Sequence, residues 1–189
     1  MLPVALDPAR LPIALVGRGE RAVRRLALLC EAGLSDMAVY SDGPDLVAAG
    51  GLSRLPDASD LSGRRIVYVV GFDEITSRRI ADNARSVGAL VNVEDIPELC
   101  DFHNPSVLRR EGLCIAVSTG GSNPSLAKLI VEFLGNTVGP EWVSHAEQLK
   151  RHRMMLRRHG LAGGALYQAL KKYVEERGWL GEKVPAAKR

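Results

Sequence analysis

Leu11-Pro-Ile-Ala-Leu-Val-Gly-Arg-Gly-Glu-Arg-Ala22 holds two half-motifs joined end to end. Ile13 to Val16 is a short apolar run. Gly17-Arg-Gly-Glu-Arg-Ala22 is G-x-G-x-x-A, and from Ala22 onward Val23, Leu26, Ala27, Leu29 and Cys30 recur at helical spacing as far as Gly33. The order is strand, tight turn, helix. Glycine in such a turn lets the backbone approach a pyrophosphate closely, and the helix start adds free N–H groups and a positive dipole end. Ala22, where a third glycine would stand, is still small enough for close helix–strand packing. The plainer alternative is a glycine-rich turn in an α/β domain that binds no nucleotide.

Further strands follow outward from this unit. Met37 to Tyr40 is predicted as a strand, with a turn over Ser41, Asp42, Gly43 and Pro44. Asp42 stands where a carboxylate usually holds a ribose hydroxyl, although Asp-Gly-Pro is also an ordinary turn. Asp45 to Ala49 suits one helical turn, Leu52 to Leu55 a short strand, and Pro56 to Gly63 reads as a polar linker. Arg65-Ile-Val-Tyr-Val-Val70 is a continuous apolar run, as expected of a central parallel strand. Asp73 or Thr76 caps a helix to about Val87 with Ile75, Ile80, Ala84 and Val87 inward, and Ala89 to Val93 is the next strand. Three βα units predict a parallel sheet with right-handed crossovers and a ligand at the strands' carboxyl ends. Those ends are Gly17–Glu20, Ser41–Asp42, Gly71–Asp73 and Asn92–Asp95.

The pattern then changes. Ser106–Arg109 and Leu113–Ser118 read as a hairpin, followed by helices over about 125–135, 140–159 and 165–177. Trp142, Ala146, Leu149 and Met154 are the expected inward residues of the second helix, and residues 181–189 are expected to be loose. Ser118-Thr119-Gly120-Gly121 precedes a helix, so its backbone N–H groups offer an anion cradle, or an ordinary loop. Of the adjacent carboxylates Glu94 and Asp95 at a strand end, only one is expected to face the cleft. A carboxylate there serves as proton acceptor, or as a plain turn cap.

Composition narrows the function. No apolar run approaches about 18 residues, so no membrane span is expected. The first residues lack a basic region and long apolar core, so no secretory signal is expected either. Three cysteines, an odd number, suit a reducing cytoplasm rather than a disulfide framework. The four histidines show no metal-ligand spacing, so no metal site is predicted, and Ser118 has no His–Asp pair nearby in sequence. Lys150, Arg151, Arg153, Arg157, Arg158, Lys171 and Lys172 form a basic segment without an intervening acid. Such a segment suits a polyanion, or is a solvated helix face. Few aromatics interleave, so no nucleic-acid partner is expected.

The motifs also recur together in one known order: Leu2-Pro-Val-Ala-Leu-Asp7, Val16–Ala22, Val91-Asn-Val-Glu-Asp-Ile-Pro97, Phe102-His-Asn-Pro-Ser106 and Val117-Ser-Thr-Gly-Gly-Ser-Asn-Pro-Ser-Leu-Ala127. Over residues 1–150 the chain resembles the precorrin-2 dehydrogenase family, the N-terminal module of siroheme synthase. The resemblance implies a Rossmann-type parallel sheet in a cofactor domain (1–105), a dimerisation region (106–145) and a small helical C-terminal domain (146–189), in a homodimer. It implies NAD-dependent oxidation of precorrin-2 to sirohydrochlorin, a tetrapyrrole with eight carboxylates; some members also insert ferrous iron. The family's general-base aspartate falls on Asp95. Cofactor contacts fall on Gly17, Arg18, Gly19, Glu20, Arg21, Ser41, Asp42, Pro44, Gly71 and Phe72. Substrate contacts fall on Asn92, Ser118, Thr119, Gly120, Gly121 and Asn123. The chain departs from the family in Arg18, where three glycines usually run together, in Gly71-Phe72, where Ala-Thr is usual, and in Asn123, where a serine is common. The first two changes touch the cofactor side. They leave a second reading: a tetrapyrrole carrier, or a chelatase without redox activity.

Overall fold

A computed structural model describes residues 2–181; the expectation for 182–189 lies outside them. The chain divides into two compact units, Met1–Asn104 and Pro105–Arg189.

The first unit is built on β1 (Ile13–Gly17), α1 (Gly19–Glu31), β2 (Met37–Ser41), α2 (Pro44–Ala48), β3 (Leu52–Ser53), β4 (Ile66–Val70), α3 (Glu74–Ser86) and β5 (Leu90–Val93). The five strands form one parallel sheet in the order β3-β2-β1-β4-β5. That is the doubly wound order, whose direction of winding reverses between β1 and β4. Every residue of β1 and β4 is buried because both faces are covered. Ile13, Leu15, Ile66, Tyr68 and Val70 pack with Ala22 and Leu29 of α1. Ala14, Val16, Val67 and Val69 pack with Ile80, Ala81 and Ala84 of α3. Successive strand residues thus enter opposite core layers.

Two expectations change here. Ile75 is 84% exposed rather than inward. It sits in the first turn of α3, and the buried stripe is Ser77, Ile80, Ala81 and Ala84. Pro56–Gly63 is no loose linker either. Leu61 is fully buried, the Tyr40 hydroxyl donates to the Asp60 carbonyl at 3.2 Å, and Arg54 pairs with the Asp60 carboxylate. Two buried apolar residues, Pro56 and Leu61, and one ion pair fasten a segment whose composition looks mostly polar.

The second unit holds an antiparallel hairpin, β6 (Ser106–Arg110) and β7 (Leu113–Val117), then α4 (Pro124–Thr137), α5 (Glu141–Arg158) and α6 (Gly163–Glu176). The Asn123 side chain accepts from the Leu126 N–H at 2.9 Å and caps α4, with Pro124 in its first turn. Helix α5 has no fully buried residue, and Met154 is exposed instead of inward. Its contact face is aromatic: His145 stacks on Trp179 at 4.2 Å and His152 on Tyr173 at 4.0 Å. Among the described residues no helix is long and apolar enough to cross a membrane.

Candidate functional site

The carboxyl ends of β1, β2, β4 and β5 converge in the first unit, and the turn from β1 into α1 lies at their centre. Gly17 is fixed by packing: a Cβ there would come within 2.6 Å of the Ala22 Cβ and 3.2 Å of the Val70 carbonyl. Gly19 differs. Its φ is +74° and nothing lies within 4 Å of where a Cβ would stand, so it faces open space. Arg18, at the N-cap, gives the helix no side-chain cap. The first N–H groups of α1 therefore remain available to an anion. A tight Gly17, an open Gly19 and an uncapped helix start fit a dinucleotide pyrophosphate.

The Arg18 side chain crosses the switch point. Its Nε donates to the Gly71 carbonyl at 3.0 Å, and its guanidinium lies 4.9 Å from the Phe72 ring centroid. It also reaches Asp42 at 3.5 Å and Asp73 at 3.9 Å. Gly71 has φ +81°, and a side chain there would strike the Arg18 carbonyl. The two departures on the cofactor side are thus one arrangement: Arg18 rests on Phe72 and draws the ends of β1, β2 and β4 together. Its ion pairs are exposed, and such pairs hold a side chain by only about 0–1 kcal/mol each. Ser41 is buried; its hydroxyl accepts from the Gly43 N–H and donates to the Gly43 carbonyl, both at 3.0 Å, shaping the turn that carries Asp42 and Pro44. Glu20 pairs with Arg24 at 3.6 Å, one turn along the helix.

At the other end of the cleft Asp95 has φ +63°, the single positive value among described residues other than glycine. The conformation is sparsely populated, though Asp tolerates it better than most residues. Its effect is functional placement. Strand alternation stops at Val93, and both Glu94 and Asp95 turn to Arg21, with Glu94 at 3.5 Å and Asp95 in a short hydrogen bond. The expectation that only one of them faces the cleft therefore fails: the reversal at Asp95 cancels the alternation it assumed. The carboxylates hold the Arg21 guanidinium above its ordinary pKa, Asp95 most strongly through that hydrogen bond. Arg21, expected beside the cofactor, pairs with these acids. They share a cavity of about 330 Å³ lined by Arg21, Arg24, Arg25, Leu28, Glu94 and Asp95. Arg24 and Arg25 went unnoticed in the sequence. Their signal was spacing, because residues three and four apart on α1 share the face that Arg21 presents to β5.

Asn92, expected to contact substrate, is buried. Its amide donates to the Phe102 carbonyl at 2.9 Å and accepts from Asn104 at 3.2 Å. The Tyr68 hydroxyl donates to Asn104 at 3.2 Å, and the Tyr68 and Phe102 rings meet edge to face. Asn92 thereby fixes the chain leaving β5 beneath Asp95.

In the second unit Ser118–Asn123 is a compact loop. Gly120 and Gly121 have φ of +70° and +81°, the Gly120 N–H donates to the Ser118 hydroxyl, and Thr119 Oγ1 accepts from the Asn123 N–H. Asn123 is committed to the α4 cap. Arg151, Arg153, Arg157 and Arg158 are exposed on α5, and no carboxylate among the described residues lies within 4.0 Å of them. Among the described residues no cluster of His, Cys, Asp and Glu could hold a metal ion.

Known proteins agree with this frame. A family model described as "Putative NAD(P)-binding" matches residues 4–106. The siroheme synthase of Methylococcus capsulatus is 38% identical over 134 residues, 67% of this chain and 28% of that protein. The siroheme synthase of Nitrosomonas eutropha is 31% identical over 166 residues, 83% of this chain and 35% of that protein. The chain thus spans about a third of the length of these curated relatives, or less. The solved structure of "SirC, precorrin-2 dehydrogenase" superposes with a TM-score of 0.72 over 96% of this chain and 93% of that one, at 20% identity, which shows a shared fold. With its strand–turn–helix cradle inside a match over more than half its length, the chain belongs to this NAD(P)-binding family.

Proposed function

We propose that the chain oxidises precorrin-2 to sirohydrochlorin with NAD as acceptor. The observation that carries the reading is the placement of Asp95. It lies at the carboxyl end of β5, in the same sheet as the Gly17–Ala22 cradle, held by Arg21 and lining a basic cavity. Similarity to siroheme synthases and to the fold of a precorrin-2 dehydrogenase supports it.

The reaction removes a hydride and a proton from the macrocycle. NAD bound at the cradle would supply a nicotinamide as hydride acceptor. Gly19 and the start of α1 would hold the pyrophosphate, with Gly17 keeping the turn tight. Asp42, here paired with Arg18, would hold a ribose. Asp95 accepts the proton at its carboxylate; Arg21, itself paired with Glu94, positions Asp95 until a substrate carboxylate enters. Most of the rate comes from holding donor and acceptor carbons in contact. In the second unit Ser118, Thr119, Gly120 and Gly121 are assigned substrate contacts. The exposed arginines of α5 suit a polycarboxylate.

The functional chain is read as a homodimer. Leu129 and Phe133 of α4 are 60% and 68% exposed, and Leu126 and Ile130 extend the same apolar stripe. A stripe of this kind on a soluble helix marks a surface that another chain covers.

The reading is tested by titrating the purified chain with NAD and following precorrin-2 by absorbance under anaerobic conditions. Nucleotide binding together with conversion to sirohydrochlorin supports it. One observation favours the second reading, a tetrapyrrole carrier or chelatase without redox activity: Arg18 resting on Phe72 across the switch point. That reading predicts tetrapyrrole binding with no NAD binding and no spectral change.

A further inference from the structure

Among the described residues, Arg25 is the cation lining the Asp95 cavity that has no acid partner. Arg21 is paired with Glu94 and Asp95, and Arg24 with Glu20. Arg25 is half-buried, its guanidinium 5.6 Å from the Tyr68 ring centroid, and no carboxylate among the described residues lies within 4.0 Å of it. The ring face answers part of the charge. A partly desolvated guanidinium otherwise wants a bidentate acid.

Helix geometry explains why three forks meet. Residues 21, 24, 25 and 28 follow the three- and four-residue spacing of one helical face, and that face looks along the sheet to the end of β5. Leu28 closes the far side with apolar surface. The space, about 330 Å³, is at the small end for ligand sites and far below what a tetrapyrrole fills. It suits one or two acid side arms of a larger molecule, entering beside Asp95.

We infer that Arg25, with Arg24 and Arg21, forms a docking subsite for carboxylate arms of the tetrapyrrole, placing the adjacent ring carbon at Asp95. The inference rests on the proposed oxidation of a polycarboxylate tetrapyrrole and adds to it a group that sets which macrocycles are accepted. An entering carboxylate also competes with Asp95 for Arg21. Substrate binding therefore frees the carboxylate that takes the proton.

The test uses the full chain, with uroporphyrin I, a stable octacarboxylate tetrapyrrole, as probe in fluorescence titrations, and anaerobic turnover of precorrin-2 as second readout. Arg25→Gln is expected to raise the probe's Kd about tenfold, as loss of one charge-assisted bidentate contact should. The same variant is expected to raise KM for precorrin-2 by a similar factor with kcat little changed. Arg25→Lys, which keeps the charge and loses the fork, is expected to fall between parent and Arg25→Gln; it carries the test alone if the glutamine variant fails to fold. Arg78→Gln, an exposed helix pair on α3, is expected to leave both readouts unchanged. A Kd and KM in the Arg25 variants within about twofold of the parent overturn the subsite while parent turnover upholds the oxidation. A parent chain that neither binds uroporphyrin nor turns over precorrin-2 overturns both.

Discussion

Asp95 combines an unusual backbone with an exposed carboxylate in the grip of an arginine. Removing a positioned general base slows proton transfer by about 10²–10⁴-fold. Asp95→Asn is therefore expected to lose at least about 100-fold in turnover while binding NAD as the parent does. Steady-state kinetics and calorimetry check the pair of outcomes, and near-parental turnover would remove Asp95 from the chemistry. Gly17 is limited by space. Its replacement by alanine drives a methyl against the Ala22 Cβ, and overpacking of this kind costs about 1–3 kcal/mol, read as a lower urea midpoint with unchanged m. Gly17 was legible in the sequence because a glycine turn is a local pattern; at the end of β5 position alone offered Asn92, Glu94 and Asp95 alike, and the family resemblance singled out Asp95. The neighbours of Arg18 were not legible. Its partners Asp42, Gly71, Phe72 and Asp73 come from two other strand ends, and only the sheet order makes them neighbours.

At the scale of elements, strands β1, β4 and β5 and helices α1 and α3 were readable because a fully covered parallel strand has little choice but a continuous apolar run. Ile75 and Met154 misled because a single apolar residue on a helix does not say which face the core takes. The segment before β4 misled for the opposite reason, since its hold on the domain is Pro56, Leu61 and one acid. The Asp60 carboxyl is lowered to about 2, chiefly by its hydrogen bond from Arg54. A lowered folded value contributes stability that is complete above the unfolded carboxylate range, near pH 4, and is lost as pH falls toward 2. Asp60→Asn is expected to flatten the acid side of the stability curve between about pH 4 and pH 2, measured by urea unfolding at stepped pH; an unaltered slope would deny the coupling. Asn123→Ala is expected to cost about 1 kcal/mol through loss of the α4 cap, seen as a lower thermal midpoint.

For the whole molecule, the proposed homodimer would cover the exposed apolar stripe of α4. Phe133→Glu places a charge in its middle and is expected to give monomers by analytical ultracentrifugation where the parent gives dimers; a parent that is monomeric at micromolar concentration would contradict the homodimer. Under the proposed function, the nucleotide held at the Gly17–Ala22 turn is consumed by a reaction on a polyanion whose proton passes to Asp95. That is measured most directly by mixing the chain with NAD and precorrin-2 without oxygen and recording the absorbance of reduced nicotinamide and of sirohydrochlorin together. The expected result is one reduced nicotinamide for each sirohydrochlorin formed, with both traces lost in Asp95→Asn. Sirohydrochlorin appearing without reduced nicotinamide, or neither appearing from a chain that binds both compounds, would contradict it.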